Sequence, residues 1–100
     1  MPAINRKTDP NFDQEKAKEQ ICAAIVRAIK SVGTQRDFTR KLNEGLAKVG
    51  RLGISEAAVH WWKTEGTFLD EIYWPIIEQM TDMATTRRHL RPDLYGMGQP

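Results

Sequence analysis

The chain has 100 residues, of which 40% are hydrophobic and 28% are charged. A chain of this length holds one domain with a single core, and its composition is that of a globular rather than a disordered protein. No apolar run approaches the roughly 20 residues that span a bilayer, and residues 1–10 have no apolar stretch of the kind found in secretory signals. The single cysteine, Cys22, excludes an internal disulfide. We therefore expect one cytoplasmic domain.

The net charge of +2 is unevenly distributed along the chain. Residues 27–63 carry eight Lys or Arg against three Asp or Glu, a net of +5, whereas residues 64–86 carry five acidic residues and no Lys or Arg. A basic region suits a polyanionic partner, because phosphate neutralisation supplies most non-specific affinity for DNA. Basic residues also solvate ordinary helix faces, so charge alone leaves the partner open.

The first predicted element is a helix that follows a flexible arm, residues 1–9. Asp9 and Pro10 suit a helix start, since they supply an N-cap acceptor and a preset φ angle. Apolar residues then recur at helical spacing until Gly33, which suits the position after a helix end. The predicted stripe consists of Ile21, Ile25, Ala28, Ile29 and Val32.

Two more helices are predicted on either side of a turn. Thr34, with Asp37 three residues later, resembles a capping box and begins the second helix. This helix is predicted to run to Val49, with one apolar face formed by Phe38, Leu42, Leu46 and Val49. Residues 50–53 are predicted to turn. The third helix is predicted to begin after Ser55, to bury Val59 and Trp62 on one face, and to end at Gly66.

After the third predicted helix, helical spacing of apolar residues continues to Met80 and is absent from the residues that follow. Apolar residues recur between Leu69 and Met80, but Pro75 predicts a kink, or a break near Trp74 with a new helix from Pro75. Residues 83–100 include two glycines and the pair Arg91-Pro92, which predicts that they are mainly extended or irregular; residues 87–100 form the predicted C-terminal tail. We thus expect a domain over residues 10–86, and no alternation predicts a sheet.

Residues 34–66 have the pattern of a helix-turn-helix unit. In such a unit the second helix lies in the major groove and the first crosses the DNA backbone. The outer face of the third predicted helix would present Glu56, Ala57, His60 and Lys63. A generic helical hairpin has the same pattern, so the motif alone does not decide between the two.

Three segments resemble phage Cro-type repressors. The run TQRDFTRKL (34–42) resembles their brace helix, and ISEAAVHWWK (54–63) resembles their recognition helix. The runs IEQMT (77–81) and TRRHLRPDLY (86–95) resemble the terminal segment of the YdaS-type Cro-like family, which prophages encode. The resemblance covers residues 20–96, with four departures. Residues 43–53 are longer, and the spacing from Trp62 to Gly66 is one residue longer. His89 stands where Glu is common, and Glu56 stands where Gln is common.

The resemblance implies an all-α, λ-repressor/Cro-like domain of about five helices and a sequence-specific repressor that binds duplex DNA as a homodimer. At matching positions, Gln35 would bind a backbone phosphate, and Glu56, Ala57 and His60 would face base edges. A carboxylate at position 56 could accept from cytosine N4, or it could simply be an acid favoured by the helix dipole. Both interpretations of Glu56 remain open.

Further contacts are predicted around this unit. Trp61 neighbours the inward Trp62 and would point toward the groove or a partner, the alternative being packing against residues 43–53. The residues expected to bind phosphate are Thr34, Gln35, Arg36, Arg40, Ser55 and Lys63.

A dimer contact is expected outside the basic region, because the acidic segment 64–86 avoids phosphate and is rich in aromatic residues, which favour interfaces. We expect Trp74 to point outward and to form this contact together with Leu90, Leu94 and Tyr95 of the tail.

The alternative function is a protein-binding module, an antitoxin or phage adaptor that acts through the segment 68–80. Catalysis is not expected, because no nucleophile is paired with a base and no glycine-rich phosphate loop follows a strand. We also expect no metal and no cofactor, since Glu56, His60, His89 and Cys22 do not form a ligand set with metal-binding spacing.

Overall fold

The protein is all-helical over the residues that its computed structural model describes, which are 14–95 apart from the side chains of Asp93 and Tyr95. No β-strand occurs in this range. The all-α class is therefore confirmed, whereas the predicted arm 1–9 and the helix start at Asp9 lie outside the described residues. The elements are α1 (Gln14–Val32), α2 (Gln35–Lys48), α3 (Glu56–Glu65), a 3-10 turn (Glu71–Tyr73), α4 (Trp74–Met80), α5 (Arg87–Leu90) and α6 (Pro92–Tyr95).

α1 is the central helix, because it contacts α2, α3, α5 and α6. Its predicted apolar stripe is confirmed: Ile21, Ile25, Ala28 and Ile29 are buried, and Val32 packs against the core while partly exposed. Buried alanines alternate with the larger side chains along this face. Since an alanine side chain ends at Cβ, the neighbouring helices can lie close to α1.

The start of α2 is a full capping box. The Asp37 backbone N–H donates to Thr34 Oγ1 at 3.1 Å, and the Thr34 backbone N–H donates to Asp37 Oδ2 at 3.1 Å. The hydrogen bond from the Thr34 backbone holds the pKa of Asp37 below its usual value. Such a box satisfies two backbone donors that have no partner within the helix. The sequence prediction for this helix start is confirmed.

The end of α3 requires glycine. Gly66 has φ +67°, a left-handed conformation that side chains disfavour. A Cβ added there would lie 2.5 Å from the Lys18 carbonyl oxygen, closer than real Cβ contacts come. The predicted helix end is confirmed, and it also fixes how closely the end of α3 approaches α1.

The connection between α2 and α3 is a turn whose ends are held by hydrogen bonds. α2 ends at Lys48, and Val49 is 54% exposed, so the expectation that it extends the buried face is wrong. The Asn43 side chain donates to the Ile54 carbonyl at 2.9 Å and accepts from the Ile54 N–H at 2.8 Å. The Arg51 N–H donates to the Leu46 carbonyl at 2.9 Å. These bonds close the turn while its Leu52 remains 92% exposed.

Residues 87–90 and 92–95 are helical, so the prediction of an irregular tail is wrong there, whereas residues 83–86 form neither helix nor strand, as predicted. α5 and α6 pack on α1, and Leu90 and Pro92 are fully buried. Arg87 holds α5 against α4 through a two-pronged ion pair with Glu78, at 2.8 and 3.0 Å, and the Arg87 N–H donates to the same carboxylate at 2.9 Å. These bonds keep the pKa of Glu78 below its usual value despite its burial.

Trp74 points inward, so its prediction as an exposed dimer residue is wrong. It is 7% exposed, and its indole N–H donates to the Leu69 carbonyl at 3.1 Å. The guanidinium groups of Arg87 and Arg91 lie 5.8 and 5.6 Å from its ring centroid. The physical reason lies in α4 itself: Trp74, Ile77 and Glu78 are its buried residues, and positions three and four apart share one face of a helix.

The other predicted dimer residues are also corrected or untested. Leu90 is buried within its own domain, which removes it from any outer contact. Leu94 is partly buried against the same core. The side chain of Tyr95 lies outside the described residues.

His89 occupies the fourth position of a second capping box. The Thr86 backbone N–H donates to His89 Nδ1 at 3.0 Å, and Thr86 Oγ1 lies 3.2 Å from the same nitrogen. Nδ1 can accept this bond only when it carries no proton. Burial, and secondly the nearby charge of Arg27, lower the pKa of His89. The folded state therefore favours the neutral imidazole.

This cap predicts a loss of stability in mild acid. The pKa of His89 is lower in the folded state than the value of about 6.5 that histidine has in the unfolded chain. The contribution of the neutral His89 to the free energy of unfolding is therefore complete above about pH 6.5 and decreases as the pH falls below it. The change should not exceed that of a helix cap, about 1 kcal/mol. Urea unfolding between pH 7 and pH 5 measures it. His89→Gln keeps a capping acceptor without the titration and should flatten this slope.

The same substitution at His60, which lies outside the box, is the matched control and should keep the wild-type slope. An unchanged slope in His89→Gln would show that His89 does not carry the effect.

Candidate nucleic-acid interface

The orientation of α3 is fixed by its cap and by two inward side chains. Ser55 Oγ accepts from the Ala58 N–H at 3.1 Å. Val59 is fully buried and Trp62 is 7% exposed. The Trp62 ring meets Tyr73 edge to face, with centroids 5.0 Å apart. The predicted cap and the predicted inward pair are confirmed.

The opposite face of α3 is open to solvent. Glu56, Ala57 and His60 are exposed, as the sequence predicts. Trp61 is 60% exposed, so most of its side chain is open to solvent. The four residues expected to read bases are therefore all accessible on one short helix.

The exposed arginines of α2 lie next to this face. A shallow depression of about 560 Å³ is lined by Arg36, Arg40 and Asn43 of α2 and by Glu56 of α3. Arg40 pairs with Asp37 at 3.6 Å and with Glu44 at 3.2 Å on its own helix. These side chains are largely exposed, so the pairs contribute little and can be exchanged for another anion.

Gln35 joins the start of α2 to both ends of α3. Its Oε1 accepts from Lys63 Nζ at 2.8 Å, and its Nε2 lies 3.5 Å from the Glu56 carbonyl oxygen and from Glu56 Oε2. Gln35 and Glu56 are the first residues of α2 and α3, so the positive ends of two helix dipoles lie together. Gln35 and Lys63, which were expected to bind phosphate separately, are thus hydrogen-bonded to each other, and their separation of 28 residues gives no sign of this contact in the sequence.

Thr34 and Ser55 are exposed at the two helix starts. Their hydroxyl oxygens accept from backbone N–H groups, as described above, so in this state each serves as a cap. The hydrogen atom of each hydroxyl can still rotate toward another acceptor. The structure therefore places all six expected phosphate ligands on α2, on α3 or at the residues that begin them.

Within residues 14–95 no group of three His, Cys, Asp or Glu side chains is placed to hold a metal ion. Cys22 is partly buried on α1, and burial raises the pKa of its thiol. His89 belongs to the capping box of α5. None of the helices in this part of the chain has the length and apolar character needed to cross a membrane.

Comparison with known proteins gives no relative: no protein-family model, no curated protein and no solved structure matches this chain.

The two adjacent tryptophans should respond oppositely to truncation. Trp62→Ala removes a buried aromatic ring and should lower the free energy of unfolding by about 3–5 kcal/mol. Trp61→Ala removes an exposed ring and should leave the unfolding free energy within about 0.5 kcal/mol. Urea unfolding of the two variants measures both values. The reverse order would mean that α3 is rotated by about 100° from the orientation described here.

Proposed function

We propose that this protein is a sequence-specific double-stranded DNA-binding transcriptional regulator, a Cro-like repressor that acts as a homodimer in the cytoplasm. The observation that carries the proposal is the outer face of α3, where Glu56, Ala57, His60 and Trp61 are exposed beside the arginines of α2. A helix of this width fits the major groove, and the residues on its outer face would meet base edges.

Each exposed residue suits a particular contact. His60 can donate to a guanine acceptor, and Glu56 can accept from cytosine N4. Trp61 offers an apolar edge to a thymine methyl or a face to a sugar. Arg36 and Arg40 of α2 would meet phosphates on the flanking backbone. Because Arg40 is only weakly held by its present partners, its guanidinium is available for this contact.

Charge supports the same partner. The net of +5 over residues 27–63 includes α2 and nearly all of α3, whereas four of the five acids of residues 64–86 follow α3 in the chain and the fifth, Glu65, is its last residue. Such an asymmetry orients a protein as it approaches a polyanion, and phosphate neutralisation then supplies affinity.

The competing hypothesis of an antitoxin or adaptor relied on the acidic, aromatic segment 68–80. Trp74 of that segment is buried, and Phe68 and Tyr73 pack against the same core. Its aromatic residues therefore contribute to the protein's own core, which removes the observation that favoured this hypothesis.

A random-site selection on the purified protein should yield inverted half-sites about 10 bp apart, centre to centre. Affinity for the selected duplex should fall steeply as salt rises, because counterions are released from the DNA on binding. Fluorescence anisotropy from about 50 to 200 mM salt measures this slope. Equal affinity for the selected and a shuffled duplex at moderate salt would contradict the proposal.

Variants should separate base contacts from phosphate contacts. His60→Ala and Glu56→Ala should each cost about 1–3 kcal/mol on the selected duplex and relax the preference at one position. Arg40→Ala and Lys63→Ala should weaken binding to all duplexes alike and flatten the salt slope. Repeating the selection with each variant measures both effects.

The exposed Arg88 of α5 offers a matched control, because Arg88→Ala removes one positive charge from a helix that packs mainly on α1, α4 and α6 rather than on α2 or α3. It should change neither preference nor affinity appreciably. If His60→Ala left the selected sequence and the affinity unchanged, the proposed orientation of the recognition face would be wrong.

A further inference from the structure

The exposed residues of α3 form two rows of different chemistry. Successive residues lie about 100° apart around a helix, so residues four positions apart share one side. Glu56 and His60 therefore form a polar row, and Ala57 and Trp61 form an apolar row beside it. All four residues are exposed. The outer face of α3 thus combines hydrogen-bonding groups on one side with apolar surface on the other.

Ala57 lies at the centre of the outer face. At about 100° per residue, its position is opposite the midpoint of the buried pair, Val59 and Trp62. Because an alanine side chain ends at Cβ, a surface that meets this face can come close to the backbone of α3. Trp61 is one turn further along the helix, on the side away from the polar row. Its ring would therefore contact the same surface beside the point of closest approach.

The Trp61 ring is open for contact with a partner. It is 60% exposed, and within residues 14–95 it has no aromatic or cation–π partner. Trp74 is the contrast, since its ring lies beside two arginines and its indole N–H is hydrogen-bonded to the Leu69 carbonyl. Covering apolar surface is favourable, so the Trp61 ring can contribute binding free energy to a partner that meets it.

The two flanks of α3 differ in charge. The flank next to Glu56 faces the arginines of α2. On the opposite flank, Glu65 is four positions after Trp61 and lines a depression together with the start of α1. The charged residues of this depression are three acids and one base: Glu15, Lys18, Glu19 and Glu65. A phosphate beside Trp61 would be repelled by the excess of acids, whereas the uncharged edge of a base would not.

We infer that Trp61 binds the 5-methyl group of a pyrimidine, so that the ligand is a duplex whose half-site presents thymine or 5-methylcytosine to the apolar row. In the major groove the thymine methyl is the apolar feature of the base-pair edges, and the remaining groups are hydrogen-bond donors and acceptors. An aromatic ring pressed on those polar groups would leave them without partners, which costs free energy. 5-Methylcytosine carries its methyl at the same ring position as thymine.

Methyl recognition rests on the proposed function, and it specifies the base that one row of α3 selects. The proposed function requires that some duplex is preferred over others. Methyl recognition requires in addition that the removal of a single methyl group from that duplex weakens binding. The two can therefore fail separately.

Deoxyuridine scanning of the selected duplex tests the methyl contact, because uracil differs from thymine only by the missing methyl. At one thymine position of a half-site, uracil should weaken binding about fourfold, as expected for one methyl group left uncovered. At the same position, 5-methylcytosine should bind more tightly than cytosine by a similar factor. Fluorescence anisotropy at one fixed salt concentration measures both ratios.

Variants assign the effect to Trp61. Trp61→Ala should lose both methyl preferences, and Trp61→Phe, which keeps an aromatic ring without the indole N–H, should retain part of them. His60→Ala is the matched control from the polar row. It should lower the affinity for the selected duplex and keep both methyl preferences. Circular dichroism verifies that each variant is folded.

The outcomes separate methyl recognition from the proposed function. A selected half-site without thymine, or one in which uracil is tolerated at every thymine, would overturn methyl recognition and leave the proposed function intact. The same holds for a methyl preference that persists in Trp61→Ala or that is absent from Trp61→Phe. A random-site selection that yields no preferred duplex would contradict the proposed function, and methyl recognition would fall with it.

Discussion

The rotation of α3 about its own axis is the constraint on which the rest of the candidate interface depends. Val59 and Trp62 are buried against a core built on α1, and the Trp62 ring is fixed further by its edge contact with Tyr73. Gly66 then lets the end of α3 approach the backbone of Lys18. Once these contacts are made, the outward direction of the other α3 side chains follows, because residues along a helix keep fixed angular relations.

The sequence predicted the elements whose signals are local. A capping residue acts on backbone groups three positions away, so Thr34 with Asp37, and Ser55 with Ala58, could be recognised without knowledge of the fold. Gly66 could be recognised as a helix end in the same way, whereas its close approach to the backbone of Lys18 could not be predicted from the sequence. The inward pair of α3 and its exposed face followed from helical spacing alone, since no interruption occurs between Ser55 and Gly66.

The errors occurred where distant contacts decide the structure. Helical spacing allows either Tyr73 or Trp74 to share a face with Ile77, and it is Trp74 that is buried with Ile77, with its indole N–H bonded to the Leu69 carbonyl. The tail became helical because Leu90 fills the core and Arg87 pairs with Glu78, a carboxylate nine residues away on another helix. Short helices of this kind depend on tertiary packing, since a single turn is unstable by itself.

The hydrogen bond between Gln35 and Lys63 could not be predicted from the sequence either, because the two residues are 28 positions apart. This bond affects how the proposed interface would bind a phosphate. A lysine ammonium can only donate, so the amide oxygen of Gln35 must face it and the amide N–H groups must face away. Those N–H groups lie 3.5 Å from Glu56, at the limit of a hydrogen bond. A phosphate oxygen could therefore accept a hydrogen bond from Gln35 Nε2, which would then lose only its two weak contacts with Glu56. The 2.8 Å bond between Gln35 Oε1 and Lys63 would remain. On the proposed function, the same bond would place a positive charge beside the phosphate ligand and hold the start of α2 against α3 throughout binding.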